Sequence, residues 1–274
     1  MAGKLYIVGT PIGNLGDISP RALEVLESVD FIAAEDTRVT LKLLNHFEIK
    51  NELVSYYEHN KTEKGAFIID RILKGESAAL VSDAGMPAIS DPGEDLVRLA
   101  QQNAVAVESV PGPSAVVTAL SISGMSAKRF CFEGFLSANK NERKAQLLEL
   151  KNERRTMVFY EAPHKIKTTI KDFIDTFGSE RNAAFVKEIT KLHETVFKVS
   201  LGEAYDYYEQ NPPRGEFVII IEGKTEQGEE EYSLEAATAL AKRLMSEGMS
   251  SSSAAKQAAE ITGKRKNEIY RSLI

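Results

Sequence analysis

The stretch ALVSDAGMPAISDPG, Ala79–Gly93, decides how the chain is read. It begins as a short apolar strand and breaks at Ser82-Asp83. Ser82–Gly93 then holds two each of Ser, Asp, Gly and Pro before helical periodicity resumes at Leu96. Gly and Pro set backbone angles that other residues avoid, while Ser and Asp supply oxygens and turn hydrogen bonds. A strand-to-helix connection needs only a few residues, and this one spends far more. As bare turn caps, Ser82, Asp83, Ser90, Asp91 and Ser114 would satisfy one another. Their concentration at strand ends points instead to the lip of a ligand site.

Working outward, Lys4–Val8, Phe31–Ala34, Leu53–Tyr56, Ala78–Val81 and Val105–Val110 are short apolar runs that read as strands. Helical patterns separate them. Ser19-Pro20 supplies an N-cap and a first helical residue, and Ala22, Val25, Leu26 and Val29 follow at i, i+3, i+4, i+7. Thr37–Phe47, Glu63–Lys74 and Glu94–Gln102 read as further helices. Pro111-Gly112-Pro113-Ser114 closes the fifth strand and opens a helix to Ser123, with Ser114 as its expected cap. Such alternation is the sequence form of an open, mostly parallel α/β sheet. Three loops, Gly9–Asp17, Ser82–Gly93 and Pro111–Ala115, then lie at carboxyl ends of strands, where open α/β sheets bind ligands.

Beyond Met125 the pattern changes. Phe130–Gly134 and Thr156–Tyr160 read as strands flanking a charged helix, Asn141–Lys151. Ile166, Ile170, Phe173, Ile174 and Phe177 mark an amphipathic helix. Ala183–Ile189, Thr195–Val199 and Glu216–Glu222 are strands, the first two of them close enough for a hairpin. Three domains follow: 1–124 with a mostly parallel sheet, 125–224 with a mixed sheet, and 225–274 as an acidic linker and a basic helical tail. The linker is GKTEQGEEE, Gly223–Glu231. The tail from Leu234 carries 7 Lys+Arg against 4 Asp+Glu, whereas the rest carries 27 against 36. That reversal makes the tail the region most like a nucleic-acid contact, with a solvated appendage or dimer arm as the plainer reading.

The whole chain of 274 residues has a net charge of −6, so no global field favours nucleic acid. A single cysteine, Cys131, excludes a disulfide framework and a cysteine zinc cluster. Four histidines, none in an H-x-x-x-H spacing, leave no expectation of a metal. No apolar run approaches membrane-spanning length and no signal peptide is evident, so a soluble cytoplasmic protein is expected.

The first loop, VGTPIGNLGD, follows a strand and precedes a helix, but Gly9, Gly13 and Gly16 do not make G-x-G-x-x-G, and no P-loop Lys follows. A nucleotide-dependent oxidoreductase is therefore disfavoured. Glu35-Asp36-Thr37-Arg38 places three charges at a strand end. On the plainer reading Asp36 or Thr37 caps the next helix and Arg38 pairs with Glu35. Tyr160-Glu161-Ala162-Pro163-His164-Lys165 and Lys187–Glu194 end strands of the second half in the same charged way.

PIGNLGD, AEDTR, VSDAGMPAISDPG, VPGPSA, FYEAPHK, EITKLHE and RGEFVIIIEG occur in this order over roughly the first 225 residues. Together they resemble the tetrapyrrole (corrin/porphyrin) methylase family. AEDTR, EAPHK and EITKLHE are similar to its ribosomal RNA branch rather than its porphyrin, cobalamin-precursor or diphthine branches. The resemblance implies two α/β domains with S-adenosylmethionine in the cleft between them, a small helical extension, and a homodimer. It implies 2′-O-methylation of a cytidine in the decoding region of 16S rRNA, with the assembled small subunit as the expected partner.

By the same resemblance Ser82, Asp83, Ala84, Gly85 and Pro87 line the methionine and ribose part of the donor. Thr10 and Pro11 approach from the first loop, Ser114 and Ala115 from the third, and Tyr160, Glu188 and Ile189 close over the adenine. A ribose hydroxyl must lose its proton, and Asp36, Glu161, Lys187, Glu188, Lys191 and His193 are the candidate acceptors. Arg38 is a candidate RNA contact, and the basic tail residues Lys264, Arg265, Lys266 and Arg271 are expected to supply phosphate contacts. The alternatives are methylation of a tetrapyrrole or of a modified histidine, and a ribosome-binding module without catalysis.

Overall fold

The computed structural model describes residues 3–224, 234–262 and 264–273. Most of the expected acidic linker, 225–231, lies outside the described residues. The chain divides into two compact units, 1–151 with 155–222, and 152–154 with 223–274.

In the first unit β1 (Lys4–Val8), β2 (Phe31–Ala34), β3 (Leu53–Ser55), β4 (Ala78–Val81) and β5 (Ala106–Val110) form one sheet in the order β3-β2-β4-β1-β5. Every pairing in it is parallel. The central strands β2 and β4 are buried along their whole length, as a sheet covered on both faces requires. Alternate residues serve the two faces. Leu5, Ile7, Ala78 and Leu80 pack under α3 (Lys61–Leu73) and α4 (Gly93–Gln102). Val8, Ala79 and Val81 pack under α1 (Pro20–Ser28) and α2 (Thr37–His46). Ser19 caps α1 as expected, accepting from the Ala22 amide at 3.1 Å.

The second sheet has the order β6-β7-β10-β8-β9, from β6 (Phe130–Phe135), β7 (Thr156–Glu161), β8 (Asn182–Lys187), β9 (Thr195–Ser200) and β10 (Phe217–Ile221). It is mixed. β6 and β7 are parallel, and the remaining pairings are antiparallel, including the expected β8–β9 hairpin. One face is covered by α6 (Lys140–Glu149), α7 (Ile166–Phe177) and α8 (Leu201–Gln210) over Phe159, Phe185, Phe217 and Ile219. The charged helix starts at Lys140, where the Asn139 side chain caps it. It gives way after Glu149 to a 3-10 turn, Leu150–Asn152.

The other face of the second sheet is covered by α5 (Ala115–Ile122), which follows β5 of the first sheet. Its sequence AVVTALSI is apolar nearly all round, and Val116, Ala119 and Leu120 pack on Val158, Ala184, Val186, Val218 and Ile220. This crossing of one helix onto the other sheet brings the strand ends of the first sheet against the second.

The second unit contains α9 (Leu234–Ser246), α10 (Ser251–Thr262) and α11 (Lys266–Arg271). Ala237, Ala241, Ala254, Ala255, Ala258 and Ile269 are fully buried among them. Small side chains allow the three helices to approach closely. No helix among the described residues is long and apolar enough to cross a membrane.

Candidate active site

β4, β1 and β5 are adjacent in the first sheet, so the three loops singled out above converge. The first and second are joined by a two-residue bridge. Thr10 N donates to Gly85 O at 3.0 Å, and Gly85 N donates to Thr10 O at 3.1 Å. The first and third touch through backbone. A methyl group added at Gly9 would lie 2.7 Å from Gly112 Cα, and one at Gly112 would lie 2.8 Å from Gly9 Cα. Only glycine fits at both positions, and the Gly112 amide donates to Met86 Sδ at 3.2 Å.

The Ser82–Gly93 loop is stiffened from within. Asp91 Oδ1 accepts from the amides of Ala88 and Gly93, each at 2.8 Å. Ala88 and Ser90 hold φ of 67° and 68°, a conformation that costs a non-glycine residue about 1–2 kcal/mol. At its far end the loop is anchored by the buried Tyr56, whose hydroxyl donates to Pro92 O at 3.2 Å. Burial pushes that phenol up to about 12. Asp91 therefore shapes the loop as a turn cap.

A cavity of about 470 Å³ opens over these loops. Its floor comes from Ser82, Asp83, Ala84, Gly85, Ser114 and Ala115. Ser114 makes no capping hydrogen bond to α5, contrary to expectation. Its backbone is extended, and the residue lines the cavity. Tyr160, Glu161 and Ile189 form the facing wall with Phe135 and Val218. Tyr160 stands edge-on to Phe132, with ring centroids 4.9 Å apart, and tilted against Phe135 at 5.4 Å. Burial raises the Tyr160 phenol above its ordinary value, with a small opposing effect from the Val116 backbone. The wall is an aromatic shelf with a neutral hydroxyl.

The charged edge of the cavity is acidic. Glu35, directly after β2, lines it together with Asp83 and Asp91. Its pKa is raised, first by burial and then by the Asp83 charge, while the Asp83 backbone amide partly offsets the rise. Asp36 points elsewhere. It caps α2 by accepting from Arg38 N at 2.8 Å and forms a fork with the Arg38 guanidinium at 2.6 and 3.0 Å. Arg38 thus pairs with Asp36, not with Glu35, and holds the Asp36 carboxyl down to about 2.

Of the remaining expected residues only Glu161 lines this cavity. Glu161 is buried and lines the wall. One oxygen accepts from Ala162 N at 2.8 Å and the other from Thr169 Oγ1 at 2.5 Å. Glu188 lies behind Ile189, with φ of 53°, accepting from Glu216 N at 3.0 Å and from Lys191 Nζ at 3.2 Å. These contacts, the Glu216 amide foremost, lower its pKa. Gly215 leaves room for that carboxylate, since a Cβ there would collide with it. Lys191 is partly desolvated, which opposes its charge, but Glu216 and Glu188 outweigh that and raise its pKa. Pro87, Lys187 and His193 do not line the cavity.

Thr10 and Pro11 line a second cavity of about 230 Å³ with Leu15, Val39, Thr40, Lys42 and Leu43, and share Ser82 and Asp83 with the first. Among the described residues no group of three or more His, Cys, Asp or Glu is placed to hold a metal ion. Glu35 is not among the expected site residues, yet its signal is legible, because a carboxylate closely follows each of the adjacent strands β2 and β4. Ile12, Met86, Ile89, Pro163 and Glu216–Val218 also line the cavity and lie within the loops and motifs named above, whereas Phe135 lies outside them all.

What the cavity can do follows from its parts. Hydroxyls and backbone groups on the floor suit a sugar and a carboxylate, the acidic edge suits a cation, and the aromatic shelf suits a flat ring. The chain matches the model of the tetrapyrrole (corrin/porphyrin) methylases over residues 4–205. It is 46% identical to ribosomal RNA small subunit methyltransferase I of Pseudomonas aeruginosa over 98% of this chain and 96% of that one. It is 47% identical to the protein of that name from Xylella fastidiosa, over 98% of each. Among solved structures the fold resembles a diphthine synthase, with a TM-score of 0.62 at 17% identity over 81% of this chain and 91% of that one. It also resembles a uroporphyrin-III C-methyltransferase from Thermus thermophilus complexed with S-adenosyl homocysteine, with a TM-score of 0.56 at 16% identity over 80% and 97%.

Proposed function

The chain belongs to the tetrapyrrole (corrin/porphyrin) methylase family, and from that premise we propose that it transfers the methyl group of S-adenosylmethionine to small-subunit ribosomal RNA, at the ribose 2′-oxygen of a cytidine in the decoding region of 16S rRNA. What carries this reading is the near-full-length likeness to enzymes named for small-subunit ribosomal RNA methylation. The 470 Å³ cavity supports it, because its size and mixed chemistry fit a nucleoside joined to an amino acid.

In this reading Ser82, Asp83, Ala84, Gly85, Ser114 and Ala115 hold the methionine and ribose, and Tyr160 and Ile189 hold the adenine. Pro87, Thr10 and Pro11 shape the loops from outside the cavity, and Glu188 fixes the turn that carries Ile189. Bound there, S-adenosylmethionine supplies a methyl carbon on a cationic sulfur, which keeps the electron pair as the acceptor oxygen takes the carbon. The acidic edge of Glu35 and Asp83 stabilises positive charge before transfer. Orientation of two reactants by a rigid floor accounts for about 7–11 kcal/mol of barrier reduction in such reactions.

The hydroxyl proton needs an acceptor at the edge of the cavity. Asp36 and Glu188 have lowered pKa values and committed oxygens, and Lys191 is held as a cation. Glu161 spends both oxygens on Ala162 and Thr169. Glu35 remains: its carboxylate lines the edge of the cavity, its pKa is raised first by burial and then by the Asp83 charge, and we assign it that role.

The deciding experiment incubates the protein with labelled S-adenosylmethionine and small subunits lacking the modification, then locates the label. Label on a ribose 2′-oxygen of the 16S chain supports the reading. Label only on a macrocycle or on protein overturns it.

A further inference from the structure

We propose that the second cavity, about 230 Å³ in volume, receives the single unpaired ribonucleoside that accepts the methyl group. The proposal rests on the reading above and concerns where the RNA enters. Methyl transfer requires donor and acceptor side by side, and the two cavities meet at Ser82 and Asp83. Asp83 is exposed, so its side chain stands at the rim of both and closes neither.

The walls of the second cavity match a flat ring carrying a sugar. Pro11 and Leu15 of the first loop form one side, and Val39 and Leu43, one turn apart on α2, form the other. Leu15 and Val39 are 40% and 37% exposed, so this hollow keeps apolar surface that the fold does not cover. A base inserted between them would bury it. Thr10 is the polar floor, with its hydroxyl 3.4 Å from Ser82 O. Lys42 lines the rim and makes no ion pair among the described residues, which leaves its ammonium for a phosphate.

At about 230 Å³ the hollow lies below the range of about 300–1,000 Å³ typical of small-molecule pockets, which favours a single nucleoside over a tetrapyrrole macrocycle. An RNA acceptor must therefore present its target nucleotide outside any base-paired stack, which single-stranded or flipped positions do.

Two variants test this, with unmodified small subunits as acceptor probe and S-adenosylhomocysteine as donor-site probe. Val39→Trp fills the slot. It is expected to bind S-adenosylhomocysteine with wild-type affinity and to methylate the subunits about 100-fold more slowly, the effect of a misplaced acceptor. Lys42→Glu, on the exposed face of α2, is expected to raise KM for the subunits and to weaken its dependence on salt, with donor affinity unchanged. Should the tryptophan disturb the donor site, the Lys42 variant decides alone. Wild-type kcat/KM for the subunits in Lys42→Glu overturns the proposal. A wild-type protein that binds the donor but leaves the subunits unlabelled overturns the functional reading instead.

Discussion

The backbone amide of Asp36 donates to Asp83 Oδ1 at 3.0 Å, tying together residues 47 apart in sequence. β2 and β4 are neighbours, so their carboxyl ends bring the two residues face to face. The bond fixes the entrance of the Ser82–Gly93 loop. Replacing Asp83 by Ala is expected to abolish donor binding and to cost about 1.5–3 kcal/mol of stability, the range for a hydrogen bond to a charged group. Isothermal titration with S-adenosylhomocysteine and urea unfolding measure the two effects separately. Near-native affinity in this variant would contradict the placement of the site.

Glu35 makes a prediction with a definite sign. Its folded pKa is raised by burial and by Asp83, so ionisation opposes folding. The glutamate is harmless below its ordinary pKa and costs stability as pH rises through the folded value. Glu35→Gln should therefore melt higher than wild type at neutral pH, and this advantage should vanish in acid. The same variant should lose about 10²–10⁴-fold in kcat while keeping donor affinity. Thermal melts at two pH values and single-turnover methylation check both.

The close approach of Gly9 and Gly112 predicts a packing penalty. Gly112→Ala forces a methyl group against the Gly9 backbone, where no flexible side chain can yield. A loss of about 1–3 kcal/mol is expected, with weakened donor binding as the two loops part. Denaturant unfolding tests it, and an unchanged midpoint would argue that the loops can separate freely.

Tyr160 separates shelf from hydroxyl. Tyr160→Phe should leave donor affinity within a few-fold, because the ring contacts with Phe132 and Phe135 persist. Tyr160→Ala removes the ring and should cost roughly 0.5–1.5 kcal/mol or more of binding, about two- to twelvefold or more in Kd. Equal losses in the two variants would place the weight on the hydroxyl instead.

The tail carries the electrostatic prediction. Neutralising Lys264, Arg265, Lys266 and Arg271 together should weaken RNA binding and flatten its salt dependence, with donor affinity unchanged. A filter-binding series at several salt concentrations reads this directly. Unchanged RNA affinity would assign the tail another role.

The sequence announced the parallel sheet clearly because β2 and β4 are uninterrupted apolar runs and the helices between them are amphipathic. The three converging loops were equally legible, since strand direction alone puts them at one end. Side-chain pairing was not. AEDTR suggests Arg38 on Glu35, whereas the turn into α2 brings Asp36 to the N-cap and into the Arg38 fork. Ser114 has the type and position of a cap, yet it makes no capping bond and lines the cavity instead. Phe135 and Val218 reach the site through pairing with β7, a long-range register that no local pattern encodes.

Because α5 belongs to the first half by sequence and to the second sheet by packing, the protein resists division. A fragment starting at residue 125 would leave Val158, Ala184, Val186, Val218 and Ile220 facing water without Val116, Ala119 and Leu120 above them. Its counterpart, ending at residue 124, would carry a greasy helix with nothing to lie on. Each piece alone should aggregate, and the two expressed together should reassemble. The break before Met125 is thus a natural place to build a split-protein reporter, one whose halves regain the cavity only when they meet.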